Sequence, residues 1–318
     1  MICRRDVSHT GGMMSGKLKA PFPYFGGKSC IADKVWALLG EPDHYLEPFF
    51  GSGSVLLARA GWHGKTETVN DKDGFIANVW RALQFATDEV ARWCDWPVNH
   101  ADLSARRKIL IAEEGELLRK LTDDPEWCDP KLAGYWIWGF SCWIGSGFTK
   151  RRKSEADICQ RPHLSDSGVG VHCKKSYDIY EWFAALSDRL RTVRVVCGDW
   201  RRICGGNWQS RQGPVVGYYF DPPYGVLDRN DCYHCDSMAV ATDVMEWCAE
   251  KGEKRNWRIV LSGYEEYQEL VDNHGWGYES WKTRGGYSNS SSRENINRFR
   301  ERLYYSPGCL RQEQRMLF

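Results

Sequence analysis

The residues that most directly suggest chemistry are Asp221-Pro222-Pro223-Tyr224. They follow Val215, Val216, Tyr218, Tyr219 and Phe220, an apolar and β-rich run that reads as a buried parallel strand. Two consecutive prolines fix φ and provide no ladder donor, so the chain must leave the strand there in a rigid turn. Parallel sheets bind ligands just beyond the carboxyl ends of their strands. Asp221 and Tyr224 thus set an acidic acceptor and an aromatic face on an inflexible loop at such an end. That pair suits a flat ring carrying an amino group: Tyr224 stacks on the ring while Asp221 and the Pro222 carbonyl accept its N–H bonds. A proline turn closing a core strand is the competing reading of these four residues.

A second constellation lies early in the chain. In His44-Tyr45-Leu46-Glu47-Pro48-Phe49-Phe50-Gly51-Ser52-Gly53-Ser54, a short strand with Glu47 near its tip runs into a glycine turn, and Val55 to Ala58 begin a helix. Gly51 and Gly53 allow the backbone to approach a ligand, and the helix start offers N–H groups to an anion such as a carboxylate. Thr66 to Asp71 then reads as a strand ending in an acid, 24 residues beyond Glu47. An acid about 20 residues past a glycine turn is placed to reach ribose hydroxyls. Asp71 also reads as a cap for the helix marked by Ile76, Val79, Trp80 and Leu83. Upstream, Pro23-Tyr24-Phe25-Gly26-Gly27-Lys28 precedes a helical pattern of Ile31, Val35, Leu38 and Leu39. This glycine pair with its lysine lacks the full phosphate-loop pattern.

These residues need a sheet to position them. Val193 to Cys197 reads as a further strand ending in Gly198-Asp199-Trp200, but its Asp199 comes 128 residues after Asp71. A βαβ unit needs only about 30 residues, so roughly a hundred residues are inserted, about Ala82 to Arg189. The insertion begins helical (Leu103 to Leu121), then carries the aromatic runs Tyr135 to Phe140 and Trp143 to Phe148. A basic loop follows, in which Lys150, Arg151, Arg152, Lys153, Arg161, Lys174 and Lys175 face three acids, a local charge of +4. On a 318-residue chain of net charge +1, a local basic arm is what phosphate-backbone binding requires; a solvated charge run is the plainer reading. Met238 to Glu250 reads as a helix, Trp257 to Tyr264 as a strand and Leu303 to Tyr305 as a last strand. The arginines 293, 298, 300 and 302 lie beside a Ser/Asn-rich turn. Cys232-Tyr233-His234-Cys235 has no second ligand pair at zinc spacing, so no metal is expected. Thirteen cysteines at irregular spacing, a leader over 1–17 without an apolar core, and no membrane-length apolar run point to a reduced, cytoplasmic protein.

Taken together, PYFGGK (23–28), YLEPFFGSGSV (45–55), VND (69–71), CGDW (197–200) and DPPY (221–224) resemble, in order, the motifs of the Dam-like (D12 class, alpha-group) DNA adenine-N6 methyltransferases. Two departures stand out: Tyr24-Phe25 occupies a position where relatives often carry tryptophan, and WIGSGFTK (143–150) lacks the asparagine of an FNG-type segment. The resemblance implies an α/β fold, a Rossmann-like S-adenosylmethionine-dependent sheet with an inserted, mostly helical target-recognition domain. The division expected is 18–81 with 190–318 for catalysis and 82–189 for DNA. It further implies cofactor contacts at Tyr24, Lys28, Glu47, Gly51, Gly53, Asp71, Asp199, Trp200 and Asp221. The catalytic turn would be Asp221, Pro222, Pro223 and Tyr224, and the basic loop would hold double-stranded DNA. A partner restriction endonuclease is compatible with this class. Cytosine-N4 methylation shares the acceptor geometry but more often begins its motif with serine; RNA or glutamine methylation more often begins with asparagine. A DNA-binding module without catalysis remains the alternative from another class.

Overall fold

In the computed structural model the expected apolar runs become strands of one sheet. The structure describes residues 18–24, 28–124, 126–143, 147–150, 162–164, 170–172, 178–205, 214–223, 238–281 and 301–310. The strands are β1 (His44–Glu47), β2 (Thr66–Asp71), β3 (Val193–Cys197), β4 (Val216–Phe220), β5 (Trp257–Gly263), β6 (Gly277–Ser280) and β7 (Arg302–Tyr305). Their spatial order is β3-β2-β1-β4-β5-β7-β6. The first five are mutually parallel, whereas β7 runs antiparallel to both β5 and β6. This is a mixed α/β, Rossmann-like methyltransferase-type sheet.

Side chains of the central strands alternate between two apolar layers, as a period of two requires. Tyr45, Tyr219 and Val260 enter one layer, while Leu46, Tyr218, Phe220, Ile259 and Leu261 enter the other. Both faces are therefore buried, which is why β4 reads as an unbroken apolar run rather than an alternating one. The first layer is closed by α1 (Ala32–Leu39), α2 (Ser54–Leu57) and α3 (Gly74–Phe85). Between α3 and β3 stand α4 (Thr87–Cys94), α5 (His100–Asp123), α6 (Pro130–Ser141) and α7 (Ile179–Leu190). The second layer is closed by α8 (Arg201–Cys204), α9 (Met238–Lys251) and α10 (Gln268–His274).

The four helices α4 to α7 are seated on α3 rather than held away from it. Buried Asn78 of α3 accepts from the Asp129 N–H at 2.8 Å and donates to the Asp129 carbonyl at 2.8 Å, fixing the start of α6. Asp129 in turn caps α6 by accepting from Leu132 N, with Pro130 in the first turn. Gly134 of α6 meets Trp93 of α4 so closely that an added Cβ would lie 2.3 Å from the Trp93 Cβ. Arg106 of α5 is enclosed by the rings of Trp96, Tyr135 and Trp138, with guanidinium-to-centroid distances of 5.4, 4.5 and 4.3 Å. Burial holds its pKa below the ordinary value. Part of the tryptophan excess is thus packing for a buried cation. Arg107 of the same helix donates to the carbonyls of Phe148 and Lys150, securing the base of the basic loop.

Another buried ionic group joins this helical set to the sheet. Glu67 of β2 accepts from Arg59 Nη1 at 2.9 Å and from both Nη1 and Nη2 of Arg189 (α7) at 2.6 and 2.9 Å. Arg59 Nη2 also donates to the Pro42 carbonyl and Arg189 Nη2 to the Leu56 carbonyl. No helix among the described residues is long and apolar enough to cross a membrane. Removing one member of a buried ionic group leaves its partners uncompensated, at about 3–5 kcal/mol. Glu67→Ala is therefore expected to lower unfolding stability by about that amount. Urea denaturation monitored by tryptophan fluorescence checks it; an unchanged midpoint would show that the triad carries no net stability.

Candidate active site

The crossovers change direction between β1 and β4: β1 connects outward to β2 and β3, and the chain then returns to place β4 on the other side of β1. Such a reversal leaves a crevice at the strand carboxyl ends. A cleft of about 910 Å³, its open mouth included, occupies this place. Glu47 ends β1, Asp71 ends β2, and Asp221 follows β4 directly, so three acids converge there from distant parts of the chain.

Backbone satisfaction at these tips fixes the cleft wall. Gly51 and Gly53 have φ of 48° and 62°, which a residue with a Cβ adopts only under strain. Gly51 N–H donates to Asp71 Oδ2 at 2.8 Å, and Asp73 N–H to Asp71 Oδ1 at 2.9 Å. The turn after β1 is thereby tied to the tip of β2. Asn70 does the same for a third strand, donating through Nδ2 to the carbonyls of Pro48 and Gly198, each at 3.0 Å. Trp80 Nε1 donates to the Gly51 carbonyl at 2.9 Å. The helix cap expected at Asp71 falls instead to Asp73, whose Oδ1 accepts from Phe75 N at 2.8 Å. Asp71 is left facing the cleft because its short side chain is held back by the Gly51 and Asp73 amides. The helix after the glycine turn is a single turn, α2, because Arg59 leaves it to reach Glu67.

Tyr24 lies across the glycine turn, so close that a Cβ on Gly51 would sit 2.6 Å from its ring. Lys28 reaches the far side of the cleft, where its Nζ is 3.2 Å from Asp221 Oδ1. Glu47 is buried and accepts from Tyr45 Oη at 2.8 Å. Its pKa is pushed well above the usual carboxylate range by burial, and the nearby Asp221 charge adds to the rise. Burial and the Asp73 charge raise Asp71 to about 7, against the lowering effect of the backbone N–H groups of Asp73, Gly51 and Lys72. Beyond Asp71, Trp200 is buried with its ring 6.2 Å from that of Phe49, and Val240 completes an apolar slot in the cleft lining. Asp199 stands exposed at the rim, accepting from Arg201 N at 3.0 Å and pairing with its guanidinium at 3.6 Å.

The cleft thus gathers Tyr24, Lys28, Glu47, Gly51, Asp71, Asp199, Trp200 and Asp221 from the expected set, with Pro223 also in its wall. Gly53 stands behind it, against Phe50 and Trp80, and Pro222 is buried. Tyr224, Arg151, Arg152, Lys153, Arg161, Lys174 and Lys175 lie outside the described residues, as do Cys232 and Cys235. Lys150 is described and lies away from the cleft, its carbonyl held by Arg107. Sequence reasoning missed Asn70, although it sits inside the quoted VND motif, and it missed Phe49. It also missed Trp281 and Glu301, which no motif includes and which lie outside the cleft lining but adjoin Lys28. Among the described residues no group of His, Cys, Asp or Glu is arranged to hold a metal ion.

Residues 24–95 match the family model of the D12 class N6 adenine-specific DNA methyltransferases. The match indicates an adenine-specific DNA methyltransferase. The Dam-like resemblance falls within this class, and DNA is the substrate that the class implies. The matched segment contains Tyr24, Lys28, Glu47, the glycine turn and Asp71, while the Asp221 turn lies outside it. No curated protein matches the chain. The geometry of the turn carries a direct expectation. Gly51→Ala forces a Cβ into left-handed backbone, at roughly 1–2 kcal/mol, and into the Tyr24 ring. In a Tyr24→Ala background only the backbone part remains, so the penalty measured by urea unfolding shrinks. Equal penalties in the two backgrounds would mean that Tyr24 does not press on the turn.

Proposed function

We propose that this protein transfers a methyl group from S-adenosylmethionine to the exocyclic N6 of adenine in DNA, at the Asp221–Tyr224 turn. The observation that supports this most is the placement of Asp221 at the β1/β4 switch point, in one cleft with the glycine turn and Asp71. The residues fit the cofactor by their donor and acceptor chemistry. Asp71 uses one lone pair on each oxygen for backbone amides and retains others for ribose hydroxyls. The slot of Phe49, Trp200 and Val240 suits an adenine ring, with Asp199 at its polar edge. The Gly51–Ser54 turn, closed by Tyr24 and Lys28, suits the methionine end. When bound, the cofactor supplies a methyl group made electrophilic by a sulfonium.

A target adenine inside a duplex is out of reach, so the protein acts on a base turned out of the stack. Tyr224 stacks on that base, and Asp221 with the Pro222 carbonyl accepts its two N6 hydrogens. Pulling on both N–H bonds withdraws the nitrogen lone pair from the ring and aims it at the methyl carbon. The N6 lone pair would then take the methyl group that the cofactor supplies, and one N6 proton would be lost to solvent. Positioning and matched acceptors supply the acceleration. Lys150, Arg151, Arg152, Lys153, Arg161, Lys174 and Lys175 hold DNA phosphates in this reading.

Incubation with unmethylated DNA and methyl-labelled cofactor, followed by nucleoside analysis, tests the proposal: label is expected in N6-methyladenosine. Asp221→Ala is expected to lose at least a thousandfold in rate while still binding cofactor. Label on cytosine N4 would keep the acceptor chemistry and change the base. Label on neither, despite bound cofactor, would sink the DNA reading. A pH dependence follows from Asp71. Hydroxyl donors favour its ionised form, and its pKa without ligand is about 7. Affinity should therefore be flat above pH 7 and fall about tenfold per unit below it. Calorimetric titration reads this directly, and Asp71→Asn should flatten the profile; a wild-type affinity independent of pH would remove Asp71 from the site.

A further inference from the structure

Lys28 and Asp221 form an ion pair at 3.2 Å in a place that hides the lysine almost completely, at 5% side-chain exposure. The same lysine faces a second carboxylate that neither the family match nor the motifs include. Trp281 follows β6 and Glu301 precedes β7, and the two are joined by a Trp281 N–H to Glu301 carbonyl bond of 3.2 Å. The Trp281 ring lies 5.9 Å from Lys28 Nζ. Glu301 interacts electrostatically with both Lys28 and Asp221, attractively with the first and repulsively with the second. Its Oε2 is buried and accepts no hydrogen bond among the described residues.

A buried carboxylate oxygen without a donor is expensive unless some state of the protein provides one. The chemistry at Asp221 also poses a difficulty. While Lys28 binds Asp221 Oδ1, that oxygen is a weakened acceptor for an incoming amino group. Moving the lysine off Asp221 separates a buried ion pair.

We propose that Glu301 is a positioning residue that receives the Lys28 ammonium when a target amino group docks on Asp221. Lys28 passes between two carboxylates, so Asp221 becomes a full acceptor and the buried cation keeps a partner. This inference rests on the methyl-transfer reading above and adds a residue to it. Glu301 acts through Lys28 and does not touch the substrate.

Glu301→Gln tests it, since the amide keeps the shape and removes the charge. Single-turnover methylation of DNA free of N6-methyladenine is measured from pH 5.5 to 9 at saturating S-adenosylmethionine, alongside the cofactor Kd. The groups that act on Glu301 are Lys28 before α1, Asp221 beyond β4 and Tyr219 of β4, with Arg302 of β7 adjacent in the chain; saturating cofactor holds Asp71 ionised. Burial raises the Glu301 pKa, with Asp221 adding and Lys28 opposing. The wild-type rate should therefore fall as pH drops through that raised value. Glu301→Gln should bind cofactor within twofold of wild type, turn over at least tenfold more slowly, and lose the part of the acid limb due to Glu301. Should the glutamine protein fail to fold, Glu301→Asp replaces it, with an intermediate rate and a retained acid limb expected. A wild-type rate in Glu301→Gln, a slow variant with an unchanged pH profile, or an aspartate variant no better than background would overturn the proposal. A wild-type protein that binds cofactor but methylates no DNA overturns the underlying reading instead, so the two failures are separable.

Discussion

A parallel sheet whose crossovers reverse between β1 and β4 has a crevice at that point which its own helices do not cover. The rest of this molecule is organised around satisfying the polar groups that the crevice exposes. Asn70 and Asp71 satisfy most of them. One amide nitrogen joins the tips of β1 and β3 to β2, and one carboxylate collects the amides of Gly51 and Asp73. With these bonds made, the glycine turn is tied to β2, and the Tyr24 ring packs against Gly51. Pre-organisation of this kind means that binding need not order the loop, a cost otherwise subtracted from affinity.

The electrostatics of the crevice run against the isolated protein. Glu47, Asp71 and Glu301 are all held above their ordinary pKa by burial, with neighbouring carboxylates adding to each. Lys28 sits among them and is paired with Asp221. An excess of poorly solvated acids favours any ligand that brings positive charge or hydroxyl and amino donors. The same surplus makes a neutral or anionic ligand a poor fit. Unfavourable ionisation in the empty site thus becomes selectivity when a donor-rich, cationic molecule is present.

The centre of the sheet was readable from sequence because β4 and β5, parallel strands buried on both faces, become near-continuous apolar runs, whereas β1, β2 and β3 mix apolar with polar residues and were legible mainly through the turns at their tips. The acids at their tips were readable for the same reason, since a strand that ends at a glycine or proline turn announces its carboxyl end. Other elements left weaker marks. β6 alternates intermediate and exposed positions over only four residues, Gly277 to Ser280, and its pairing with β7 comes from long-range contact rather than local pattern. Asp73 took the cap expected at Asp71 because both are acids within a turn of the helix, and only the bond from Gly51 distinguishes them. Glu301 carries no local signal: its significance comes from Lys28 and Asp221, which reach it from the chain's beginning and from β4.

The inserted helices are tied to the same elements that support the cleft. Asn78 fixes the start of α6 on α3, Glu67 fixes α7 on β2 through Arg189, and Arg107 fixes the carbonyls of Phe148 and Lys150 on α5. Each contact is buried or half-buried and directional, so the base of the basic loop is referred to the sheet through a short chain of hydrogen bonds. The same helix α3 also donates Trp80 Nε1 to the Gly51 carbonyl. One helix therefore carries both the docking point of the insertion and a support of the glycine turn. Because α3 is shared, displacement of the inserted helices also disturbs the cleft wall.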